Sequence, residues 1–302
     1  MTINYDKLLA LKIPEVEHSY TDKDTILYAL GVGVGHDPLD LDQLPFVYEK
    51  NLKALPTFAA VLGYPGFWAR ELDTGIDWVK LVNGEQGVTL HRPLAPTGTV
   101  IGRTRILEAI DKGPGKGALV YTERSVTDKR TGTLIATVTQ TSFCRGDGGF
   151  GGPPREAPPP HPIPERAPDQ VCDLATRPEQ ALIYRLNADR NPLHADPEIA
   201  KAAGFPRPIL HGLATFGVVG HALLRTVCGY DPVRLTAINA RFSGPVFPGE
   251  TLRTEIWRDG AVVSFRSRVV ERDVLAINNG RAEVQIDVPS RHSPAAVSNP
   301  YD

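Results

Sequence analysis

The sequence predicts an α+β protein built from two similar halves, and three observations support this fold class. The chain has 302 residues, which is the length of two domains of roughly 150 residues each. Short motifs of the first half recur in the second half in the same order. In each half, a helix-type apolar segment is followed by strands of alternating polarity, a pattern that predicts an antiparallel sheet curled around one helix.

Three pairs of motifs carry the internal repeat. Their common order, with only small insertions between them, indicates a duplicated fold. The pairs are PLAPTG at 93–98 with PVFPGE at 245–250, Thr57-Phe58 in LPTFAAVLG with Thr215-Phe216 in LATFGVVGH, and Tyr28 in YALGVG with Tyr184 in YRLNAD.

The first half begins with a helical prediction. The apolar segment Leu52–Leu62 predicts the helix of this half. Strict alternation of polar and apolar residues then predicts strands over Ala118–Thr127 and Leu134–Phe143, each with one buried and one wet face.

A break in composition separates the halves. Residues 146–168 read GDGGFGGPPREAPPPHPIPERAP, and this density of Gly and Pro prevents both helix and sheet. We expect a stiff linker between a first domain, residues 1–145, and a second domain, residues 169–302. The triplet Arg145-Gly146-Asp147 matches an adhesion motif, which we do not assign in a chain without a secretory signal.

The second half repeats the order of the first. The stretch Ile209–Val227 is interrupted by His211, His221 and Arg225, so it predicts a buried helix and not a membrane span. Its glycines Gly212, Gly217 and Gly220 would let strands approach the helix closely. The predicted strands are Thr251–Trp257, Ala261–Val270 and Arg281–Val288.

Composition narrows the function classes. The formal net charge is -2 with the charges interleaved, so nucleic acid and anionic membranes are not expected partners. The N-terminus has no signal-type apolar core and the C-terminal Asn299-Pro300-Tyr301-Asp302 is not a peroxisomal tripeptide, which predicts a cytoplasmic protein. Three cysteines (Cys144, Cys172, Cys228) lie far apart, so we expect neither a disulfide framework nor a thiolate metal site.

The candidate chemistry lies in residues 184–197, YRLNADRNPLHADP. Asp189 and His194 are five positions apart and would not share a face of a regular helix. Pro192 disfavours such a helix and pushes Asn191 towards an extended conformation. An irregular turn can therefore bring the acid and the imidazole together around one water. Asp196 then predicts the N-cap of a short helix that Gly204 would end.

The second piece is the start of the long helix. The first backbone N–H groups of a helix have no intrahelical partner, and Gly212 has no side chain to keep a ligand oxygen away from its own N–H. An acid, an imidazole and an oxyanion donor together favour chemistry next to a carbonyl.

The first half lacks this set. Its equivalent stretch, Gly33-Val34-Gly35-His36-Asp37-Pro38, has the wrong order, and no phosphate-cradling helix follows its glycines as dinucleotide binding would require. The remaining histidines lack metal-ligand spacing, so we expect hydrogen-bonded or solvated rings and no metal site; they include His91, His161, His221 and His292.

These motifs resemble a known family. NADRNPLH followed by ILHGLATFG resembles the signature of the MaoC-like, R-specific 2-enoyl-CoA hydratases (hydratase 2), and LYALGVG, FVYE, LPTF and GGFGG resemble its two-domain version. The resemblance covers about residues 20 to 288. Where the family usually has Ser-Gly, this chain has Asn187-Ala188, a departure that bears on substrate preference.

The resemblance implies a double hotdog fold, with one long helix wrapped by a sheet in each half. It implies reversible hydration of trans-2-enoyl-CoA to (3R)-3-hydroxyacyl-CoA without a metal or redox cofactor. Asp189 and His194 carry over as the catalytic pair that activates water, Asn191 as the residue that orients them, and Gly212 as the backbone donor to the thioester oxygen. Glu49 in FVYE matches a family glutamate, for which we favour a structural role.

Other functions remain open at this point. They are a hotdog acyl-CoA thioesterase, a specialised MaoC dehydratase for a branched or dicarboxylic CoA ester, and a non-catalytic acyl-CoA-binding subunit. The expected partners are an acyl-CoA substrate and a second copy of the chain in a homodimer. We expect the first half, through Gly31, Gly33 and Gly35, to form a roomier wall that accommodates the acyl chain.

Overall fold

A computed structural model describes residues 2–187 and 189–286, and it confirms the α+β class. Ten antiparallel strands form a single sheet. The first half contributes β1 (Val16–Tyr20), β2 (Leu81–Leu90), β3 (Gly98–Asp111), β4 (Ala118–Asp128) and β5 (Leu134–Cys144), and the second contributes β6 (Gln170–Ala175), β7 (Leu235–Phe242), β8 (Thr251–Asp259), β9 (Val262–Val269) and β10 (Val274–Val284).

The strand order shows the internal repeat directly. It runs β1-β3-β4-β5-β2-β7-β10-β9-β8-β6, so the second half repeats the first in reversed spatial order. The two halves meet where β2 pairs with β7, with Val88 opposite Ile238. One hydrophobic cluster under the sheet takes residues from both halves, including Phe58 and Phe216.

Seven α-helices accompany the sheet in the described residues. The α-helices are α1 (Tyr5–Leu9), α2 (Asp22–Gly31), α3 (Leu44–Val47), α4 (Trp68–Glu71), α5 (Gln180–Tyr184), α6 (Pro197–Ala202) and α7 (Gly212–Thr226), and short 3₁₀ helices span Pro56–Ala60, Trp78–Lys80, Pro192–His194 and Pro232–Arg234. The 15-residue α7 is the long central helix, and 11 of its residues are buried. No helix in the described residues is long and apolar enough to cross a membrane.

The predicted long helix of the first half is wrong. Within Leu52–Leu62 only the five-residue 3₁₀ helix Pro56–Ala60 forms, and all five residues are buried. A segment that is buried on every side has apolar residues on every side. Its run of apolar residues therefore indicates burial and carries no helical periodicity. The sheet of the first half therefore curls around this short helix, and the long central helix belongs to the second half alone.

The glycines of α7 have a different neighbour from the one expected. A Cβ on Gly217 would lie 2.4 Å from Val32 Cγ1, just after α2, and a Cβ on Gly220 would lie 2.5 Å from Thr57 Cγ2 in the 3₁₀ helix. These glycines admit first-half segments and not strands. The two halves thus share a core through α7.

The predicted strands agree with β4, β5, β8 and β9 within two residues at each end. The prediction for Arg281–Val288 is partly wrong, because β10 begins at Val274 and ends at Val284, while Val288 lies outside the described residues. The sequence reading missed β1, β2, β3, β6 and β7. Residues 146–168 contain neither helix nor strand, and most of their side chains are exposed, as expected of a linker.

The structure gives the environments of the cysteines and of three of the remaining histidines. All three cysteines are free and buried. His91 bonds Thr137, His161 bonds Ser264 and His221 bonds Tyr230. His292 and the C-terminal tetrapeptide lie outside the described residues.

Candidate active site

The turn after α5 is held by its own side chains. Asp189 Oδ1 accepts a hydrogen bond from the backbone N–H of Asn191 (2.9 Å), and Asn191 Oδ1 accepts one from Leu193 N–H (3.0 Å). These local bonds are the turn chemistry of Asp and Asn. Asn191 is extended, with ψ 125°, before the 3₁₀ helix that starts at Pro192. The predicted irregular turn is confirmed, as are the Asp196 cap of α6 and Gly204 with φ +88° after it.

His194 lies at the end of that 3₁₀ helix with only 7% of its surface exposed. Its Nδ1 lies 2.8 Å from the backbone carbonyl oxygen of Ile209. Since a carbonyl only accepts, Nδ1 carries the proton and Nε2 carries the free lone pair. Burial lowers the pKa of His194, and the charge of Asp189 opposes that shift. The ring is therefore neutral at pH 7 with one basic nitrogen.

The structure brings Asp189 and His194 together with a third side chain, His211, for which the sequence predicted no role in the site. One carboxylate oxygen of Asp189, one ring nitrogen of His194 and one of His211 lie within 4.8 Å of one another. Two hydrogen bonds of about 2.8 Å at a tetrahedral angle span about 4.6 Å. This span lies within the 4.8 Å limit, so one water can be bound by both members of the Asp189–His194 pair.

His211 completes the cluster from the N-cap position of α7, with 1% of its surface exposed. Its Nε2 donates to the backbone carbonyl of Asp189 over 3.0 Å. Its ring stacks on His194 with centroids 3.7 Å apart and planes at 27°. Burial, and then the neighbouring His194, lower the pKa of His211 to about 3. The signal available in the sequence was a histidine directly before the candidate oxyanion glycine.

Among the residues that the structure describes, the same three side chains form the group that could hold a metal ion. Imidazole lone pairs lie in the ring plane, so two histidine ligands of one ion must aim their planes at a common point. The rings of His194 and His211 are instead stacked, with centroids 3.7 Å apart and planes at 27°, so their planes do not aim at one nearby point. One nitrogen of each ring is also committed to a backbone carbonyl. This arrangement fits hydrogen bonding to water better than metal coordination.

Gly212 is the first residue of α7, as the sequence predicted for an oxyanion donor. In the described residues no backbone acceptor bonds its N–H. A Cβ built on Gly212 would lie 3.4 Å from Phe242 Cε1, which is ordinary contact, and its φ is not in the left-handed region. Packing and backbone conformation therefore do not require a glycine here. What its small size leaves open is the approach to the N–H.

The first half reaches this turn through α2. At the end of α2, a Cβ on Gly31 would lie 3.2 Å from both Asn187 Nδ2 and Tyr184 Cα. Gly33, with φ +84°, faces the side chain of Gln180. Since Gly31 and Gly33 adjoin α5 and its end, they do not form the roomy wall expected of them.

An apolar cavity of ≈ 340 Å³ lies beside α2. It is lined by Ile26, Leu27 and Leu30 together with Asp22, Lys23 and Glu49. Glu49 is exposed, and the described residues form no hydrogen bond or ion pair with it. No contact in the described residues therefore supports the structural role that the sequence favoured for Glu49. The cavity and the Asp189 turn lie against the same helix.

The comparisons with known proteins show the family of this chain. The MFE-2 hydratase 2 N-terminal domain matches residues 18–146, and the MaoC like domain matches residues 160–280. The chain is 40% identical over 293 residues, 89% of its length, to "Enoyl-CoA hydratase 2, peroxisomal" of Arabidopsis thaliana, covering 92% of that protein. The chain belongs to the MaoC-like hydratase 2 family.

Further relatives support the family and its fold. "3-hydroxyacyl-thioester dehydratase Y" of Mycobacterium tuberculosis is 44% identical over 261 residues, 84% of this chain and 88% of that protein. The crystal structure of a MaoC-like dehydratase from Phytophthora capsici superposes with a TM-score of 0.84 at 36% identity, over 94% of this chain and all of that chain. A Mycobacterium tuberculosis protein described as a double hotdog fold superposes at 0.57 with 17% identity, over 94% of this chain and 99% of that one, which shows the fold alone.

Proposed function

We propose that this hydratase 2 family member adds water reversibly to a trans-2-enoyl-CoA, giving the (3R)-3-hydroxyacyl-CoA. The supporting observation is the convergence of the Asp189 carboxylate and the His194 imidazole, within 4.8 Å of each other, on a turn whose His194 ring bonds the segment leading into α7. The stereochemistry follows from the family resemblance. The reaction uses neither a metal nor a redox cofactor in this proposal.

The pair binds and activates the water. Asp189 and the free Nε2 of His194 accept hydrogen bonds from it, and one of them takes a proton as the water oxygen bonds to C3. The electron pair of the C2–C3 double bond moves towards the thioester, and a proton returns to C2. One water has then been added, as a hydroxyl at C3 and a hydrogen at C2. Asn191 acts by holding Asp189 Oδ1 through its backbone N–H.

The thioester oxygen gains negative charge in this step. The free N–H of Gly212, at the positive end of the 15-residue α7, is the donor we assign to it. Such a donor contributes about 3 kcal/mol to transition-state stabilisation when it is fixed before the charge develops.

Purified protein with crotonyl-CoA tests the proposed function against the thioesterase alternative. Hydration removes the enoyl absorbance and releases no thiol, whereas a thioesterase releases free CoA. A panel of branched, dicarboxylic and ring-bearing enoyl-CoA esters separates the general hydratase from the specialised dehydratase. Loss of neither absorbance nor thioester across the panel would leave the non-catalytic binding subunit as the better account.

We also propose that the acyl chain lies in the first half, in the cavity beside α2. Its apolar lining of Ile26, Leu27 and Leu30 suits an alkyl chain, and it is open to solvent with a volume of ≈ 340 Å³. Leu27→Trp, which fills the cavity, should lower activity on a twelve-carbon enoyl-CoA and spare crotonyl-CoA. Equal losses on both substrates in a folded variant would contradict this location. The probe avoids Gly33, whose φ of +84° makes any side chain there strained.

The cytoplasmic location, the homodimer and the division into domains 1–145 and 169–302 are proposals from the sequence. The Arabidopsis relative is named as peroxisomal, so fractionation of cells that produce this protein is the relevant measurement. Sedimentation of the purified protein tests the dimer.

A further inference from the structure

We propose that His211 is a positioning residue for hydration, which holds the Asp189 turn and the His194 ring in register with the Gly212 N–H. The inference rests on the proposed function and adds a residue to it. His211 contacts neither the reacting carbons nor the water in this proposal. It acts on the residues that do.

The contacts of His211 reach every part of the site. Its Nε2 donates to the backbone carbonyl of Asp189, its ring lies on the His194 ring, and its own carbonyl accepts from Thr215 N–H in the first turn of α7. It is also the residue directly before Gly212. One side chain and one peptide unit thus tie the acid, the base and the oxyanion donor to a single rigid helix end.

Packing alone does not account for an imidazole at this position. Among the residues that the structure describes, none bonds the buried Nδ1 of His211, and a buried unsatisfied polar atom costs about 1–3 kcal/mol. An aromatic ring without nitrogen would fill the same space without that cost. What the imidazole supplies is the Nε2 proton, which the Asp189 carbonyl accepts.

The stack has a second effect, on His194. Two contacts fix the His194 ring. The hydrogen bond from Nδ1 to the Ile209 carbonyl sets its rotation, and stacking on the His211 ring sets its plane. Nε2 is left aimed in one direction, which a proton acceptor needs. Burial keeps the His211 ring neutral. His211 therefore places no positive charge next to His194 when His194 takes up a proton.

The charged and titratable groups that face the two rings are few. Asp189 comes from the turn, and Arg185 and Tyr184 come from the end of α5. Phe242 of β7 adjoins Gly212 and carries no charge. The pKa of His194 is thus lowered mainly by burial, while the Ile209 bond and the Asp189 charge raise it and the Arg185 charge lowers it.

The test is a double-mutant cycle on the full chain with crotonyl-CoA. His211→Phe keeps a buried ring and removes the donor, and it should lower kcat about 10- to 100-fold with little change in KM. In a His194→Gln background the same change should lower kcat less than about twofold, since there is no longer a base to position. His221→Phe is the matched control, a second buried histidine on α7 with 2% exposure, and it should leave kcat within about twofold of the wild type.

Three outcomes overturn the inference. They are a wild-type kcat in folded His211→Phe, an equal factor lost with and without His194, and an equal loss in His221→Phe. If His211→Phe does not fold by circular dichroism, His211→Leu, which also lacks a donor, replaces it under the same criteria. An inactive wild type on the enoyl-CoA panel refutes the proposed function and this inference with it, whereas an active wild type that ignores His211 refutes the inference alone.

Discussion

Replacing Gly212 with valine separates a catalytic glycine from a packing glycine. The side chain would lie over the N–H that we assign to the thioester oxygen. The atoms nearest to its Cβ would be those of Phe242, at 3.4 Å, an ordinary contact, and the backbone there is not left-handed. The fold should therefore accept the substitution, and the free energy of unfolding should change by less than about 1 kcal/mol.

The expected loss is in turnover. Removing an oxyanion donor typically lowers kcat about 100- to 1,000-fold, equal to about 3–4 kcal/mol. Because the bond is stronger to the charged transition state than to the neutral thioester, KM should change much less. Steady-state kinetics with crotonyl-CoA and urea denaturation of the same preparation measure both quantities.

Gly217→Ala is the internal control on the same helix. Its Cβ would lie 2.4 Å from Val32 Cγ1 and 3.0 Å from Tyr28 Oη, so overpacking should destabilise the protein by about 1–3 kcal/mol. The kcat per folded molecule should stay near the wild-type value. A Gly212→Val enzyme with unchanged kcat and a raised KM, or with the stability loss expected of Gly217→Ala, would refute the reasoning.

Further predictions concern the acid, the base and pH. Asp189→Asn can still accept from Asn191 N–H, and His194→Gln can still donate to a carbonyl, so both variants should fold but lose about 100- to 10,000-fold in kcat; near wild-type hydration of crotonyl-CoA by either would contradict the assignment. Since burial lowers the pKa of His194, activity should fall only below the ordinary histidine value of about 6.5, and equal rates at pH 7 and pH 4 would count against this base. The free energy of unfolding should also decrease as the pH is lowered. Burial lowers the pKa of His211 to about 3 and that of His221 to about 4. Between pH 6.5 and 4 the unfolded chain therefore binds protons that the folded chain does not. Urea midpoints measured across that range would be constant if these rings were not buried and neutral.

The site was readable from the sequence where its structure is local. Asp189, Asn191 and Pro192 shape the turn through bonds that span two residues, so the residue types alone predict it. The start of α7 was predicted for the same reason, because Gly212 follows a Pro-containing segment and opens a long apolar run. The hydrogen bond between His211 and Asp189 could not be predicted from the sequence. The two residues are 22 positions apart, and only the tertiary fold brings them together.

The fold shows the same division. Alternation predicted β4, β5, β8 and β9, whose partners are hairpin neighbours or close in sequence. It could not predict β7, whose pairing with β2 joins opposite halves. The Leu52–Leu62 helix failed because Pro56–Ala60 is apolar on all sides through contact with α7 and the sheet, and tertiary burial of that kind leaves no period to read.

The β2–β7 pairing has a consequence for autonomy. A chain cut within residues 146–168 would leave each half with a bare central strand, whose row of unpaired N–H and C=O groups invites association with any similar edge. It would also uncover the Gly217 and Gly220 side of α7, where the atoms nearest to an added Cβ belong to Val32, Tyr28 and Thr57 of the first half. We therefore expect neither half to fold alone as it does in the whole chain, so that the proposed domains 1–145 and 169–302 are two structural repeats that depend on each other. The proline-rich segment would keep them at high local concentration.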